Sequence, residues 1–145
     1  MHNILPTKSR LNRMRIELNM TNCCGLCGLN EEEDLIHAFF VCSNNCVAGL
    51  ALLGYTQMLV GDVSDRDCLC LNFGSDVGDI ECLAAVSVLV TGLSFIWERR
   101  VEKKVVLLYA VRAELEAKVE LLRKTRYGKV GDLINAIINP ELSQY

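Results

Sequence analysis

The sequence predicts a mostly α-helical chain: a short cysteine-rich module followed by a helical bundle. Apolar residues recur at helical spacing over most of its length, and strand-type alternation is scarce. Proline occurs only twice, as Pro6 and Pro140, so little interrupts long helices. Four of the eight cysteines crowd into residues 23–42, CCGLCGLNEEEDLIHAFFVC, beside one of the two histidines.

Two parts are expected. Residues 1–45 hold a basic helix and the cysteine module. Residues 46–145 form a helical body with a long acidic loop at 61–80 and basic C-terminal helices. Of the 145 residues 51% are apolar, enough for a real core.

The net charge of -3 speaks against a general polyanion binder, but it averages over a strong asymmetry. Residues 1–20 carry Lys8, Arg10, Arg13 and Arg15 against Glu17 alone. Residues 31–82 hold ten acids against Arg66, and residues 98–129 hold ten bases against five acids. Basic ends around an acidic middle make a basic surface wherever the fold brings the ends together.

Eight cysteines would suit a disulfide-stapled secreted domain. However, the opening MHNILPTKSRLNR lacks the apolar run of a signal peptide. Two apolar runs, 46–60 and 83–97, are about fifteen residues each, short of the ~18 that a membrane span requires. The expectation is a soluble, intracellular, thiol-containing chain with no membrane partner and no targeting signal.

The first helix should begin near Thr7, a residue suited to N-capping. Leu11, Met14 and Leu18 form its apolar stripe, flanked by Arg10 and Arg15 with Arg13 farther round. That rim is either a solvated face or a nucleic-acid contact. EEEDLIHAFFVC reads as a second helix, with Glu31, Glu32, Glu33 and Asp34 where the helix dipole favours negative charge. Ser43-Asn44-Asn45 breaks it, and residues 46–60 follow as a largely buried helix.

Residues 61–80 are rich in Gly, Asp and Ser and read as a long loop with a short turn around 68–73. A long apolar helix then covers roughly 79–102 and ends in FIWERRVEKK. Its Gly92 costs about 1 kcal/mol against alanine, which points to a close helix contact there. Leu108, Val111, Leu115 and Leu122 recur at near-heptad spacing, with Val119 between the last two. Arg112/Glu116, Glu114/Lys118 and Glu120/Lys124 are i,i+4 pairs contributing about 0.2–0.5 kcal/mol each. Gly128 suits a C-cap, and a short amphipathic helix over 132–138 closes the chain before Pro140. The seam packs inside the chain or pairs with a partner; at this length, packing inside is the default.

Within the cysteine module the spacing is Cys24-x2-Cys27-x9-His37-x4-Cys42. Structural zinc takes four nitrogen or sulfur ligands in a tetrahedron, and this set supplies them. Gly25 inside the first turn and Gly28 after it let two thiolates converge. His37 and Cys42 lie about 140° apart on an ideal α-helix. The helix must therefore loosen before both reach one ion, and Ser43-Asn44-Asn45 is where that loosening is expected. Cys23-x3-Cys27 is also a legal pair; Cys24 is preferred because Gly25 then falls within a two-residue turn. The competing reading makes His37 a satisfied semi-buried histidine and the cysteines small hydrophobes. Cys46, Cys68, Cys70 and Cys82 do not extend the site and read as core.

No catalytic machinery is visible. His37 has no nucleophile motif beside it, and neither a P-loop nor a His-Glu-x-x-His is present. A zinc held by four protein ligands has no open position for water, so the metal would be structural. This chain is not expected to be an enzyme.

These residues carry a family resemblance. Leu5, Pro6, Thr7, Lys8, Arg10 and Leu11, then Cys24, Cys27, Gly28, Glu33, Asp34, His37, Phe39, Phe40 and Cys42, resemble a zinc-binding segment. That segment follows the polymerase in reverse transcriptases of non-LTR retrotransposons. FIWERRVEKK is similar to a Trp-containing basic helix that often follows it. The strong match covers about residues 4–42, with a weaker one through 83–126.

The resemblance implies zinc on Cys24, Cys27, His37 and Cys42, a nuclear location, and support of RNA or DNA handling during target-primed reverse transcription. The chain departs from the family pattern in one respect and lacks the polymerase signature. Members often place a tryptophan shortly after the last ligand, and residues 46–52 have none, so packing beside the zinc differs. No Tyr-x-Asp-Asp signature is present, so the chain looks like a C-terminal fragment of a polyprotein that would be an RNA-directed DNA polymerase, without polymerase activity of its own.

The expected function is a structural zinc module that contacts nucleic acid. Lys8, Arg10, Arg13, Arg15, Arg99, Arg100, Lys103 and Lys104 would meet phosphates. The alternative is a protein-interaction scaffold that self-associates through the 105–122 seam, or a non-functional retroelement remnant.

Overall fold

Helices carry the regular structure of this chain in a computed structural model that describes Leu26 and residues 34–140. A one-turn π-helix spans His37–Val41, followed by α1 (Cys46–Val60), α2 (Asp65–Cys70), α3 (Asp79–Val101), α4 (Leu108–Arg123) and α5 (Gly128–Ile138). No strand occurs among the described residues, and the mostly α class stands.

α3 is the hub, touching the π-helix, α1, α4 and α5. Ala84, Ala85, Val88, Leu89, Gly92, Leu93 and Ile96 recur every three or four residues and form its buried arc. Asp79 and Glu81 open the helix while Arg99 and Arg100 sit in its last turn, each sign matched to the helix dipole. The expected close contact at Gly92 is present: a Cβ there would lie 2.4 Å from Cδ2 of the fully buried Leu52 on α1. At 23 residues α3 runs well past the apolar stretch 83–97, and it is long and apolar enough to cross a bilayer. Here its buried arc anchors the bundle core.

The near-heptad seam packs inside the chain, as expected by default. Val111, Leu115 and Val119 of α4 are buried, in a helix that packs on α3 and α5. From α5 come Val130, Ile134, Ile137 and Ile138.

Three local expectations need correction. Gly128 opens α5 rather than capping α4, because Thr125 closes the intervening turn. Its hydroxyl donates to the Leu122 carbonyl at 2.7 Å and accepts from the Tyr127 amide at 3.1 Å. Arg112 reaches across to the end of α5, donating to the Ile138 carbonyl at 2.7 Å and to Asn139 Oδ1 at 3.2 Å. A cation satisfying the last carbonyls of a neighbouring helix outcompetes an exposed i,i+4 pair. Glu120 pairs with Arg123 at 3.4 Å, both exposed.

The third correction concerns the acidic loop, which contains a helix. Ser64 and Asp67 form a reciprocal capping box at 3.1 Å in each direction, enough to start α2. The Ser64 amide and hydroxyl hold the Asp67 carboxyl below its ordinary range. α2 ends on Leu71 in the left-handed region, φ 56°. Cys68 is buried, whereas Cys70, two residues on, is exposed and therefore not core as expected. Burial pushes the Cys68 thiol up to about 11; a hydrogen bond with Thr56 opposes this, and the charges of Asp67 and Asp65 add to it.

Candidate functional site

Asp34 starts the segment that carries His37. Its Oδ1 accepts the His37 amide at 2.8 Å, an N-cap three residues ahead, and its carbonyl accepts the Ala38 amide at 2.9 Å. The acids read as a helix start thus include one that caps; Glu31, Glu32 and Glu33 lie outside the described residues.

The chain then widens into the π-helix. The Cys42 amide donates to the His37 carbonyl at 2.8 Å, an i→i+5 closure. His37 and Cys42 are therefore one hydrogen-bonded turn apart, rather than the 140° offset of an α-helix. The loosening that the sequence placed at Ser43-Asn44-Asn45 lies one turn earlier. Both residues are withdrawn from solvent, His37 at 4% exposure and Cys42 at 0%.

Ending a helix at Cys42 leaves its last carbonyls without helical partners. Asn45 supplies two of those partners: its Nδ2 donates to the Ala38 carbonyl at 2.8 Å and the Phe39 carbonyl at 3.1 Å. α1 presses close to the same place. A Cβ on Gly49 would sit 1.7 Å from the Phe39 carbonyl oxygen, so only glycine admits this approach.

The side-chain oxygen of Asn45 accepts from Arg100 Nη1 at 2.9 Å. Next to it, Asn44 Nδ2 donates to the Lys104 carbonyl at 3.0 Å, and the Val106 amide donates to the Asn44 carbonyl at 3.2 Å. The turn after Cys42 is thus stitched to the end of α3. Phe39 and Phe40 are buried as expected, and Phe39 meets the Trp97 ring at 6.3 Å between centroids. The ring that packs beside Phe39 thus comes from α3.

Arg100 requires correction as a phosphate contact. The residue is 4% exposed and its Nη1 donates to Asn45, which withdraws it from the surface where a phosphate would bind. Lys103 and Lys104 are exposed, and Lys104 pairs with Glu102 at 2.9 Å, an exposed pair of little energy. Arg99 stacks over Phe95 at 5.1 Å. Lys103 adopts φ 58° and ends the helix, its amide donating to the Arg100 carbonyl at 3.0 Å. Cys23, Cys24, Cys27, Lys8, Arg10, Arg13 and Arg15 lie outside the described residues.

The described half of the proposed ligand set fits zinc chemically. An imidazole and a thiol, both buried and one closed turn apart, are the donors that structural zinc takes. Among the described residues no group of three metal-ligating side chains occurs, and two of the four candidates lie beyond them. Asn45 was legible only as a turn former; its partner lies 55 residues away, and no local pattern signals that. Comparison with protein-family models, curated proteins and solved structures found no match.

Proposed function

We propose that this chain is a structural zinc-binding module that associates with nucleic acid and supports RNA or DNA handling without catalysis of its own. One observation supports this reading above the others: the turn after Cys42 joins the His37–Cys42 segment directly to the basic end of α3. Cys24, Cys27, His37 and Cys42 would hold the ion, which when bound supplies a four-way cross-link between the cysteine turn and the π-helix. Arg99, Lys103 and Lys104 would meet phosphates together with Lys8, Arg10, Arg13 and Arg15. Arg100 instead holds the junction. The resemblance to the reverse-transcriptase segment adds a nuclear setting. Self-association through the α4 seam is not part of the reading, because Val111, Leu115 and Val119 are buried within the chain.

The test has two separable halves. Purified protein should carry one zinc per chain, and His37→Ala should lose it; metal-free wild type would overturn the metal half. Duplex DNA and RNA should bind at low salt and weaken as salt rises, with a log–log slope near -0.9 for each DNA phosphate neutralised. No binding at low salt would overturn the nucleic-acid half.

A further inference from the structure

α1 is uncharged over all 15 of its residues, CVAGLALLGYTQMLV, and only one side of it is covered. Gly49 turns inward against Phe39 and Leu52 against Gly92, with Ala48, Thr56 and Leu59 buried beside them. On the other side Val47 is 63% exposed, Leu50 53% and Met58 64%. At 100° per residue these three fall within about 80° of one another, with Gly54 between them and Ala51 at the edge. A contiguous apolar stripe of this kind marks an interaction surface, which scattered apolar side chains do not.

Gly54 sharpens the point. A Cβ on Gly49, Gly92 or Gly131 would lie 1.7, 2.4 or 3.2 Å from a neighbouring element, so each of those helical glycines has a close contact to serve. Gly54, midway along the stripe, has no atom within 4 Å of such a Cβ among the described residues. No described contact therefore accounts for a glycine in mid-helix.

The charges around the stripe select its partner. At its start, Asn44 Nδ2 donates to the Lys104 carbonyl at 3.0 Å, and residues 98–104 carry four cations against Glu98 and Glu102. At its end Gly61 leads into the exposed Asp62, and residues 61–81 carry six acids against Arg66. An apolar face with one basic and one acidic end is complementary to itself when a copy is turned end for end.

We propose that the outer face of α1 is a self-association surface, on which two copies of this chain pair their α1 helices antiparallel about a two-fold axis. One patch is then used twice, as such symmetry requires. Val47 meets the partner's Met58, and Ala51 meets the partner's Gly54, so small residues face each other where the helices cross. In the same register Asn44 stands opposite the partner's Gly61, which sets Lys103 and Lys104 beside the partner's Asp62. Exposed pairs of this kind contribute little energy and fix orientation. A single helix face makes a small interface, so the dimer is weak and reversible. It requires neither metal nor nucleic acid.

The experiment is sedimentation equilibrium on the full chain, free of nucleic acid, from about 5 to 500 μM. Wild type should pass from monomer to dimer. Leu50→Glu sets a carboxylate on the stripe and should raise the dissociation constant about tenfold or more, with unchanged circular dichroism because the site is exposed. Gly54→Ala separates pairing from stability: the dilute monomer should melt no lower, while the dimer weakens about fivefold. Asp62→Lys should weaken the dimer about threefold, and adding Lys103→Glu and Lys104→Glu should restore it. A photo-crosslinking residue in place of Met58 should join the segment around Val47 in a product of dimer size.

A chain that stays monomeric throughout would overturn the proposal. Crosslinks from position 58 to residues 1–33 of the same chain would do so by giving the face to an internal segment, and binding of the monomer to phosphatidylcholine vesicles through Leu50 would give it to a bilayer. Dimers indifferent to both Leu50→Glu and Gly54→Ala would place self-association elsewhere. A dimer that ignores the charge reversals would overturn the antiparallel pairing.

Discussion

Asn45 and Arg100 meet at 2.9 Å, both buried, across 55 residues of chain. With the Asn44 bonds to Lys104 and Val106, that contact ties the end of the longest helix to the turn that follows the π-helix. Asn45→Ala should cost about 2–3 kcal/mol, because it removes a bond to a charged group and two carbonyl partners. Asn45→Asp keeps an oxygen for Arg100 but cannot donate to Ala38 or Phe39. Urea midpoints for the two variants would separate the contributions, and the aspartate form should recover part of the loss.

Gly49 and Gly54 lie on the same helix and should respond oppositely to alanine. At Gly49 the new Cβ would sit 1.7 Å from a backbone oxygen, which cannot be relieved by rotating a side chain. The π-helix and α1 would have to part, at a cost of about 3 kcal/mol or more, in line with overpacked cores. At Gly54 nothing lies within 4 Å, so alanine should stabilise by about 0.5–1 kcal/mol. Thermal melts of the two variants, run side by side, check both signs.

Cys68 should behave unlike its neighbour Cys70. Iodoacetamide should modify the exposed Cys70 in the folded protein and reach Cys68 only on unfolding. The buried thiol holds its proton up to about 11, against an ordinary 9.0. The unfolded chain therefore releases that proton first as pH rises. The corresponding stability is complete below pH 9.0 and is lost as pH climbs through about 11. Urea midpoints should fall across that window, and Cys68→Ala should flatten this part of the profile.

Metal removal should act locally. Leu89, Leu93, Ile96, Leu115 and Ile134 belong to a core built where α3, α4 and α5 pack on one another. Chelation should leave most of the far-ultraviolet helical signal and change mainly Trp97 emission. Loss of the whole helical signal with chelator would contradict this.

The bundle was largely legible because its signals are local. Asn44 and Asn45 favour turns over helix, so the start of α1 at Cys46 follows from composition. Gly92 announced its contact with Leu52 because glycine in a helix interior needs a reason. α2 was hidden because Ser64 and Asp67 look like loop residues until their side chains are seen exchanging backbone bonds. Arg100 was misread because charge predicts exposure, and the amide oxygen of Asn45 that it meets lies too far along the chain to be paired with it by spacing. The two phenylalanines were read correctly as packing, yet their partner Trp97 could not be paired with them from spacing alone.

The π-helix also bears on how this segment tolerates insertion and deletion. A π-turn is an α-turn carrying one residue too many, and the His-x4-Cys spacing is the length of that longer repeat. A chain with His-x3-Cys would close the same gap with an ordinary helix and no surplus residue. Removing one residue between His37 and Cys42 should therefore preserve their one-turn relation and keep His37 in phase with Cys42 and α1, whereas removing two should turn it by about 100°. The Phe39 carbonyl that faces Gly49 and the Ala38 carbonyl that Asn45 also holds would then lose their places. The turn has room for one deletion and none for a second.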